Sequence, residues 1–403
     1  MSIFRRDFLR GAGIAPLALG MGMLPAGAKA PARTGIAGLE VFRVHVNRRG
    51  DWVIPRLKTE GGLTGLGDAS QSGNDEQTLV WLKRFVDLLK GHSVFEIAWF
   101  RQASLAHLAE GGKPAAVAAS ALEHALWDLQ GQALGLPVYE LFGGRIQDRI
   151  RIYANINRSS DPRTPDGFAA MAQRAVADGF DAFKLAPFDE LPLKLADPAE
   201  RARLTQNGLD CAAAVRRTIG PDRDLLIDAH SRFHLEEGLE LAQRFEPLKL
   251  FWLEEVTPAK PVSDLAAINK AAAMPTAGGE NIQGVAGFYP YIRAEAVDIV
   301  MPDVKVCGGL LELKKIAALA EGAGLFTSPH GPASPIGNLA AAHVVATIPN
   351  FNILEFSYGE VPWRAELIDP PEQIDRSALV LSARPGFGVR LNEKTAAKYA
   401  VPV

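Results

Sequence analysis

The chain has few cysteines and no marked excess of either charge. Cys211 and Cys307 are the two cysteines among 403 residues, which allows at most one disulfide and excludes a disulfide framework. Both are predicted to be buried packing residues rather than ligands. The 43 basic and 46 acidic residues give a formal net charge of −3, and no basic patch interleaved with aromatic residues occurs. These features exclude a nucleic-acid-binding protein.

Long apolar runs are also scarce. One lies near the start, from about Gly11 to Gly27, behind Arg5 and Arg6 in the run RRDFLR and ahead of several small residues. This layout is typical of a twin-arginine export signal. Prolines and glycines interrupt the run, which favours a signal over an uncleaved membrane anchor. Residues 1–30 are therefore predicted to be the signal, and the mature protein to be periplasmic without a stable membrane span.

A regular alternation of strands and helices fills most of the chain after residue 146. Eight short β-favouring runs are separated by Ala- and Leu-rich stretches with helical spacing. This pattern predicts an α/β fold, a (β/α)7β barrel of the TIM type. An open doubly wound sheet is the alternative, but no Gly-rich turn follows the first run. The predicted strands are Arg151–Ile156, Asp181–Leu185, Leu225–Asp228, Leu250–Glu254, Pro275–Gly278, Val297–Met301, Leu325–Ser328 and Asn352–Phe356.

The segment before the barrel has a different order, with strands first and helices afterwards. Such an order is typical of an α+β domain. We predict a capping domain over residues 35–145, the barrel over 146–370, and a tail over 371–403 that returns to the cap. The predicted cap strands are Gly38–Val46 and Trp52–Ile54, and the clearest cap helices are Leu79–Leu89 and Ala115–Gly131.

Three acidic residues end consecutive predicted barrel strands. Asp228, Glu254 and Glu280 follow the third, fourth and fifth strands, and the carboxyl ends of barrel strands meet at one mouth. Carboxylates brought that close raise one another's pKa unless a cation lies among them. Oxygen ligands with room for water suit Mg²⁺. The pattern predicts a magnesium site, the alternative being three unrelated surface acids.

Other strand ends carry residues suited to proton transfer. Lys184 ends the second strand, Asp303 the sixth, His330 the seventh and Glu355 the eighth, while His230 lies just beyond the third. A carboxylate bonded to one imidazole nitrogen fixes the tautomer and makes the other nitrogen more basic. We predict that Asp303 and His330 form such a pair. His92, His124 and His343 are predicted to be packing or surface residues.

Four motifs resemble one family. These are SALEHALWDLQGQALGLPVYELFGG (Ser120–Gly144), FWLEE (Phe251–Glu255), AGGEN (Ala277–Asn281) and MPDVKVCGG (Met301–Gly309). Together they resemble the mandelate racemase/muconate lactonizing branch of the enolase superfamily. The resemblance implies an α+β cap over the barrel, Asp228, Glu254 and Glu280 as Mg²⁺ ligands, and a homo-oligomer. Val256 stands where the family usually has proline.

Within that branch, the resemblance implies a reaction. Asp303 and His330 match the family's dyad, in which the histidine is the base. Racemases carry a second base two residues after Lys184, and this position is Ala186. The runs FDAFKLAPFDEL and IDAHSRF instead resemble acid-sugar dehydratases of the galactonate-dehydratase type, in which His230 would be the general acid. Lys184 and Glu355 would bind the substrate carboxylate. An alternative role for His230 is to hold Asp228 in place.

The resulting prediction is Mg²⁺-dependent dehydration of an aldonate-like sugar acid to a 2-keto-3-deoxy acid, through C2 proton abstraction and an enediolate. An epimerase, racemase or cycloisomerase using the same enediolate is the first alternative, and a non-catalytic solute-binding protein the second. The segment Asn47–Leu63 is predicted to be a loop of the cap that overhangs the site. Several side chains of this loop would either contact substrate or face solvent, and the same two alternatives apply to Trp363. The loop side chains are Arg48, Arg49, Trp52, Arg56 and Lys58.

Overall fold

The computed structural model describes residues 33–48, 50–70, 73–192 and 194–403. The predicted export signal and Arg49 lie outside the described residues. In the described ranges, no helix combines the length and the apolar character that crossing a bilayer requires.

The first described element is a three-stranded antiparallel sheet. Its strands are β1 (Ile36–Asn47), β2 (Gly50–Thr59) and β3 (Thr64–Leu66), in that order. The prediction of a loop over Asn47–Leu63 is wrong, because most of this segment forms strand β2. The prediction stopped at Ile54, but charged side chains at Arg56 and Lys58 alternate with buried neighbours, as in a half-buried strand.

The charges of β2 are satisfied within the cap and its neighbours. Arg56 lies opposite Glu40 on β1 and also pairs with Glu393 at 2.6 Å. Lys58 pairs with the same Glu40. Trp52 is 1% exposed. These side chains are therefore structural, and none of them lines the active-site cavity described below.

Three helices complete the cap segment. Asn74 caps the first helix, because its side chain accepts the backbone N–H of Gln77 at 3.1 Å. The second helix is much longer than the predicted Ala115–Gly131 and breaks at Gly112, which has φ 56° and ψ −144°. The helices are α1 (Asp75–Leu89), α2 (Ile97–Leu134) and α3 (Val138–Leu141).

All eight predicted barrel strands form. They run parallel in sequence order, the eighth pairs with the first, and a parallel bridge between Thr327 and Phe351 joins the seventh to the eighth. The strands are β4 (Arg149–Asn155), β5 (Ala182–Leu185), β6 (Asp224–Asp228), β7 (Trp252–Glu254), β8 (Thr276–Gly278), β9 (Ile299–Val300), β10 (Phe326–Thr327) and β11 (Leu354–Ser357). The seven described α-helices between consecutive strands are α4 (Pro165–Ala177), α5 (Pro198–Ile219), α6 (Leu235–Phe245), α7 (Val262–Ala271), α8 (Gly284–Arg293), α9 (Leu310–Gly322) and α10 (Pro335–Val345).

The tail contacts both the barrel and the cap sheet. Its backbone bridges Val44 of β1 at Ala400. Trp363 is 7% exposed and lies between Trp52 and Tyr399, with ring centroids 5.5 and 4.1 Å away. It therefore packs rather than facing a substrate. The last elements of the chain are β12 (Ile368–Asp369), just before the tail, and then β13 (Ala378–Val380), which pairs with β4, β14 (Arg390–Leu391) and α11 (Glu393–Lys398).

Two buried carboxylates of the cap bind the amino ends of barrel helices. Glu123 of α2 accepts the N–H groups of Leu310 and Leu311, at 2.7 and 3.1 Å. Asp68, after β3, accepts both the N–H and the hydroxyl of Ser334, at 2.8 and 2.6 Å. Each contact places a negative charge at the positive end of a helix. The cap is thereby fixed to α9 and α10.

The residues predicted to be structural are placed accordingly. Both cysteines are free and buried. His124 and His343 are fully buried, and burial lowers the pKa of each to about 4. His92 is partly exposed and stacks on Trp99.

Candidate active site

The period of a β-strand places the polar residues at the barrel mouth. A layer of apolar side chains fills the barrel interior, and it includes Ala182, Leu226, Trp252, Met301 and Ile353. Side chains two residues apart point the same way along a strand. The residues two positions further on therefore also point inward, at the carboxyl ends, and they are Lys184, Asp228, Glu254, Asp303 and Glu355.

Lys184 lies at the centre of the carboxylates. Its ammonium is 2.6 Å from Glu254, 3.3 Å from Asp228 and 3.9 Å from Glu355. Burial alone lowers the pKa of Lys184, but these carboxylates outweigh it and raise the pKa well above its usual value. Burial, followed by repulsion from Asp228, raises the pKa of Glu254 well above its usual range. Repulsion among the carboxylates therefore adds to burial in raising the pKa of Glu254.

A group suited to a metal ion lies beside this cluster. One ligand atom from each of Asp228, His230 and Glu280 falls within 4.8 Å of the others. Asp228 Oδ2 and Glu280 Oε2 are buried without a donor in hydrogen-bonding geometry, although His230 Nε2 and His330 Nε2 lie 3.0 and 3.1 Å from them. The two carboxylates of this group fit a hard cation such as Mg²⁺, while the imidazole does not. The structure places Glu254 against Lys184 and Trp252 rather than within this group.

His330 and Asp303 form the predicted pair. His330 Nδ1 lies 2.8 Å from Asp303 Oδ2, so an N–H at Nδ1 would leave Nε2 as the basic atom. Burial lowers the pKa of His330, but Glu280, Glu355 and Asp303 outweigh it and raise the pKa above its usual value. Asp303 is held in turn by Lys305, whose ammonium is 3.1 Å away.

His230 has its own carboxylate partner, Asp189. Its Nδ1 bonds to Asp189 Oδ1, and its Nε2 lies 3.0 Å from Asp228 Oδ2. Burial lowers the pKa of His230, but Asp228 and then Asp189 raise it to about 11. Asp189 is fixed by Arg163 at 3.0 Å and by Asn157 at 3.2 Å. The sequence supplied both histidines but not the partner of this one.

Glu355 is oriented by neutral donors. Asn155, at the end of β4, donates to Oε1, and the Gly331 N–H donates to Oε2 at 3.0 Å. Burial raises the pKa of Glu355, but Lys184 and His330 outweigh it and lower the pKa to about 2. Glu355 is therefore a carboxylate next to the base.

One cavity of about 150 Å³ gathers these residues. Seven of the eight predicted site residues line it, and Glu254 lies behind Lys184. Five polar lining residues were not predicted, and one of them, Asn155, follows the same strand-end pattern. The others lie at a helix break or in loops, where no period marks them, and they are Lys113, Asn157, Arg158 and Asn281. The described lining residues are Lys113, Asn155, Asn157, Arg158, Lys184, Asp228, His230, Glu280, Asn281, Asp303, Val306, His330, Pro332 and Glu355.

A cap over a parallel barrel, with carboxylates and a His–Asp pair at the strand ends, defines the enolase superfamily class of enzyme. Residues 40–143 match the family described as mandelate racemase/muconate lactonizing enzyme, N-terminal domain. Residues 167–395 match the family described as enolase C-terminal domain-like. The chain belongs to the mandelate racemase/muconate lactonizing enzyme family, and the predicted family and fold are confirmed.

Named relatives narrow the class. The chain is 32% identical to a D-galactonate dehydratase family member of Streptomyces bingchenggensis, over 87% of this chain and 90% of that one. It is 30% identical to the D-gluconate dehydratase of Thermoproteus tenax, over 86% and 69% of the two chains. A mandelate racemase/muconate lactonizing enzyme-like protein from Rubrobacter xylanophilus superposes with a TM-score of 0.84 at 31% identity, over 92% and 98%. The named dehydratases agree with the predicted enzyme class, a hydro-lyase.

Proposed function

We propose that this enzyme dehydrates an aldonate-like sugar acid to a 2-keto-3-deoxy acid with the help of Mg²⁺. The observation that supports it most is the presence of two histidines in one cavity, each bonded to its own carboxylate. Elimination of water needs a base for the C2 proton and an acid for the C3 hydroxyl. His330 is the proposed base and His230 the proposed acid.

The remaining groups act on the substrate carboxylate. Asp228 and Glu280 would hold Mg²⁺, with Glu254, whose oxygens contact Lys184 and Trp252 in this structure, as the third ligand that the family resemblance implies. When bound, the ion would supply positive charge to the carboxylate as the C2 proton leaves. Lys184 adds a second positive charge at the same place. Glu355 would have to carry a proton in order to donate a hydrogen bond to the carboxylate oxygen of the enediolate. Asp303 keeps His330 in the tautomer whose Nε2 receives the proton.

Two features support dehydration over racemisation or a purely metal-binding role of His230. The position two residues after Lys184 carries Ala186, a buried methyl group that cannot act as a second base. Imidazole is a usual ligand of zinc or iron, whereas Mg²⁺ takes carboxylates and water. We therefore assign His230 to proton transfer and the acids to the metal.

The test is a screen of the mature protein with Mg²⁺ against aldonic and aldaric acids, scoring 2-keto acid. A product that disappears with EDTA and with His330→Asn is expected, whereas the control His92→Asn should keep full activity. His230→Asn should stop dehydration but retain C2 proton exchange in D2O. Exchange with no dehydration of any acid by the wild type would contradict the proposal and favour an epimerase or cycloisomerase.

We also propose that the chain is exported to the periplasm by the twin-arginine route, on the strength of Arg5 and Arg6 ahead of the apolar run. Replacing both arginines by lysine should retain the precursor in the cytoplasm, as fractionation and immunoblotting would show. An unchanged periplasmic fraction would contradict this.

A further inference from the structure

The cap helix α2 breaks next to Lys113, a residue that lines the active-site cavity. Gly112 has φ 56° within the helix, and Pro114 follows two residues later. Glycine adopts positive φ readily, and proline is compatible with the start of a new helical segment. Lys113 stands between them and lines the cavity. Among the described lining residues, it is the one from the cap segment, while the others follow residue 154.

The ammonium of Lys113 has an amide partner and no carboxylate partner within the described chain. Its Nζ donates to Asn281 Oδ1 at 2.9 Å. The cavity's other long cations are balanced, since Arg158 pairs with Glu360 at 2.9 Å and Lys184 with Glu254 at 2.6 Å. Lys113 therefore presents an ammonium that forms no ion pair with a described carboxylate.

We infer that Lys113 binds the oxygens at the end of the sugar acid remote from the reacting carboxylate. The inference rests on the proposed function, in which Lys184, Glu355 and the metal ligands take the reacting carboxylate. An ammonium has three donors, and Asn281 uses one. The other two are available to distal hydroxyl groups or to a distal carboxylate. Because this contact lies away from the bond that breaks, it stabilises substrate and transition state alike and lowers KM rather than raising kcat.

The test compares Lys113→Met with the wild type on a six-carbon aldonate. KM should rise about tenfold and kcat should stay within about twofold, as expected for loss of one charge-assisted hydrogen bond. Lys113→Arg should restore most of the affinity. Lys83→Met, at an exposed lysine on α1, is the matched control and should change neither constant.

Two further arms locate the contact and identify the group. With three-carbon glycerate, followed by C2 proton exchange, the Lys113→Met effect should be absent, because the molecule has no distal end. A loss at least tenfold larger on an aldarate than on the aldonate of the same configuration identifies a distal carboxylate, and equal losses identify hydroxyl groups. Both results support the inference.

An unchanged KM on six-carbon acids would overturn it. So would a KM that holds while the Mg²⁺ concentration for half-activation rises, because Lys113 would then act through Asn281, which bonds to Glu280 at 3.1 Å. Failure of the proposed function looks different, since wild-type protein would then form no 2-keto acid from any acid. That outcome would overturn both.

Discussion

Removing the carboxylate of Asp303 should weaken His330 as a base while leaving substrate binding nearly unchanged. Asp303→Asn keeps the shape of the side chain but loses the charge 2.8 Å from His330 Nδ1. At an effective dielectric constant of about 20, a charge pair about 4 Å apart is worth about 4 kcal/mol. With about 1.4 kcal/mol for each factor of ten, the loss is at most about a thousandfold. We therefore expect C2 proton abstraction to slow by about 10²- to 10³-fold.

The assay is C2 proton exchange in D2O, followed by NMR on the best sugar acid, with substrate affinity measured separately by calorimetry. Substrate affinity should change little, because Asp303 acts through His330. The double variant Asp303→Asn/His330→Asn should be no slower than His330→Asn alone, since groups that act as a unit are not additive. Exchange at more than a tenth of the wild-type rate in Asp303→Asn, or additive losses in the double variant, would refute the reasoning.

Three shorter predictions concern stability. Mg²⁺ at about 100 times its dissociation constant should raise the free energy of unfolding by about 2.7 kcal/mol, and Glu280→Gln should abolish this gain in urea denaturation; a gain that persists in the variant would place the ion elsewhere. His343 has a pKa of about 4 against an ordinary 6.5, so its stabilising effect is present above pH 6.5 and is lost as pH falls toward 4. The free energy of unfolding should fall by about 3 kcal/mol over this range. His343→Gln should not show this loss, whereas the exposed-site control His92→Gln should. Parallel pH profiles of the unfolding free energy for wild type and His343→Gln would contradict this. Gly309 has φ 88°, and a Cβ there would lie 2.1 Å from Glu123, so Gly309→Ala should cost about 2–4 kcal/mol. A Cβ at Gly322 would have no neighbour within 4 Å, so Gly322→Ala should leave the stability nearly unchanged. Equal shifts of Tm in the two variants would contradict the steric conflict between a Cβ at Gly309 and Glu123.

The barrel was predictable because its pattern is local. Each strand is a short apolar run bounded by breakers, and the polar residue two positions past an inward-facing core residue must also point inward. That rule yields Lys184, Asp228, Glu254, Asp303 and Glu355 from the sequence alone. It also yields Asn155, which was not predicted. Register along a strand therefore accounts for five of the fourteen described lining residues, because Glu254 lies behind Lys184.

The cap was less predictable because its pairings are not local. The segment Asn47–Leu63 contains Gly, Pro and several charges, which favour a loop, yet β1 pairs with it across the hairpin and Glu40 neutralises two of its cations. Long-range contacts thus overrode local preference. Asp189 lies in a turn and Lys113 at the break in α2. No regular period marks either position, so only the folded chain shows that they reach His230 and the cavity.

The cap does more than cover the cavity, because its buried acids bind the helices that follow the catalytic strands. Asp303 precedes α9, which Glu123 caps, and His330 precedes α10, which Asp68 caps through Ser334. The cap holds the amino end of each helix. It therefore anchors the loops that carry Asp303 and His330 at the point where each loop enters its helix. The position of the His330–Asp303 pair and the position of the cap are therefore coupled through the same two contacts. A cap that must sit correctly for the base to be aligned also brings Lys113 to the cavity, so that alignment of the base and recognition of the substrate's far end depend on one docking geometry.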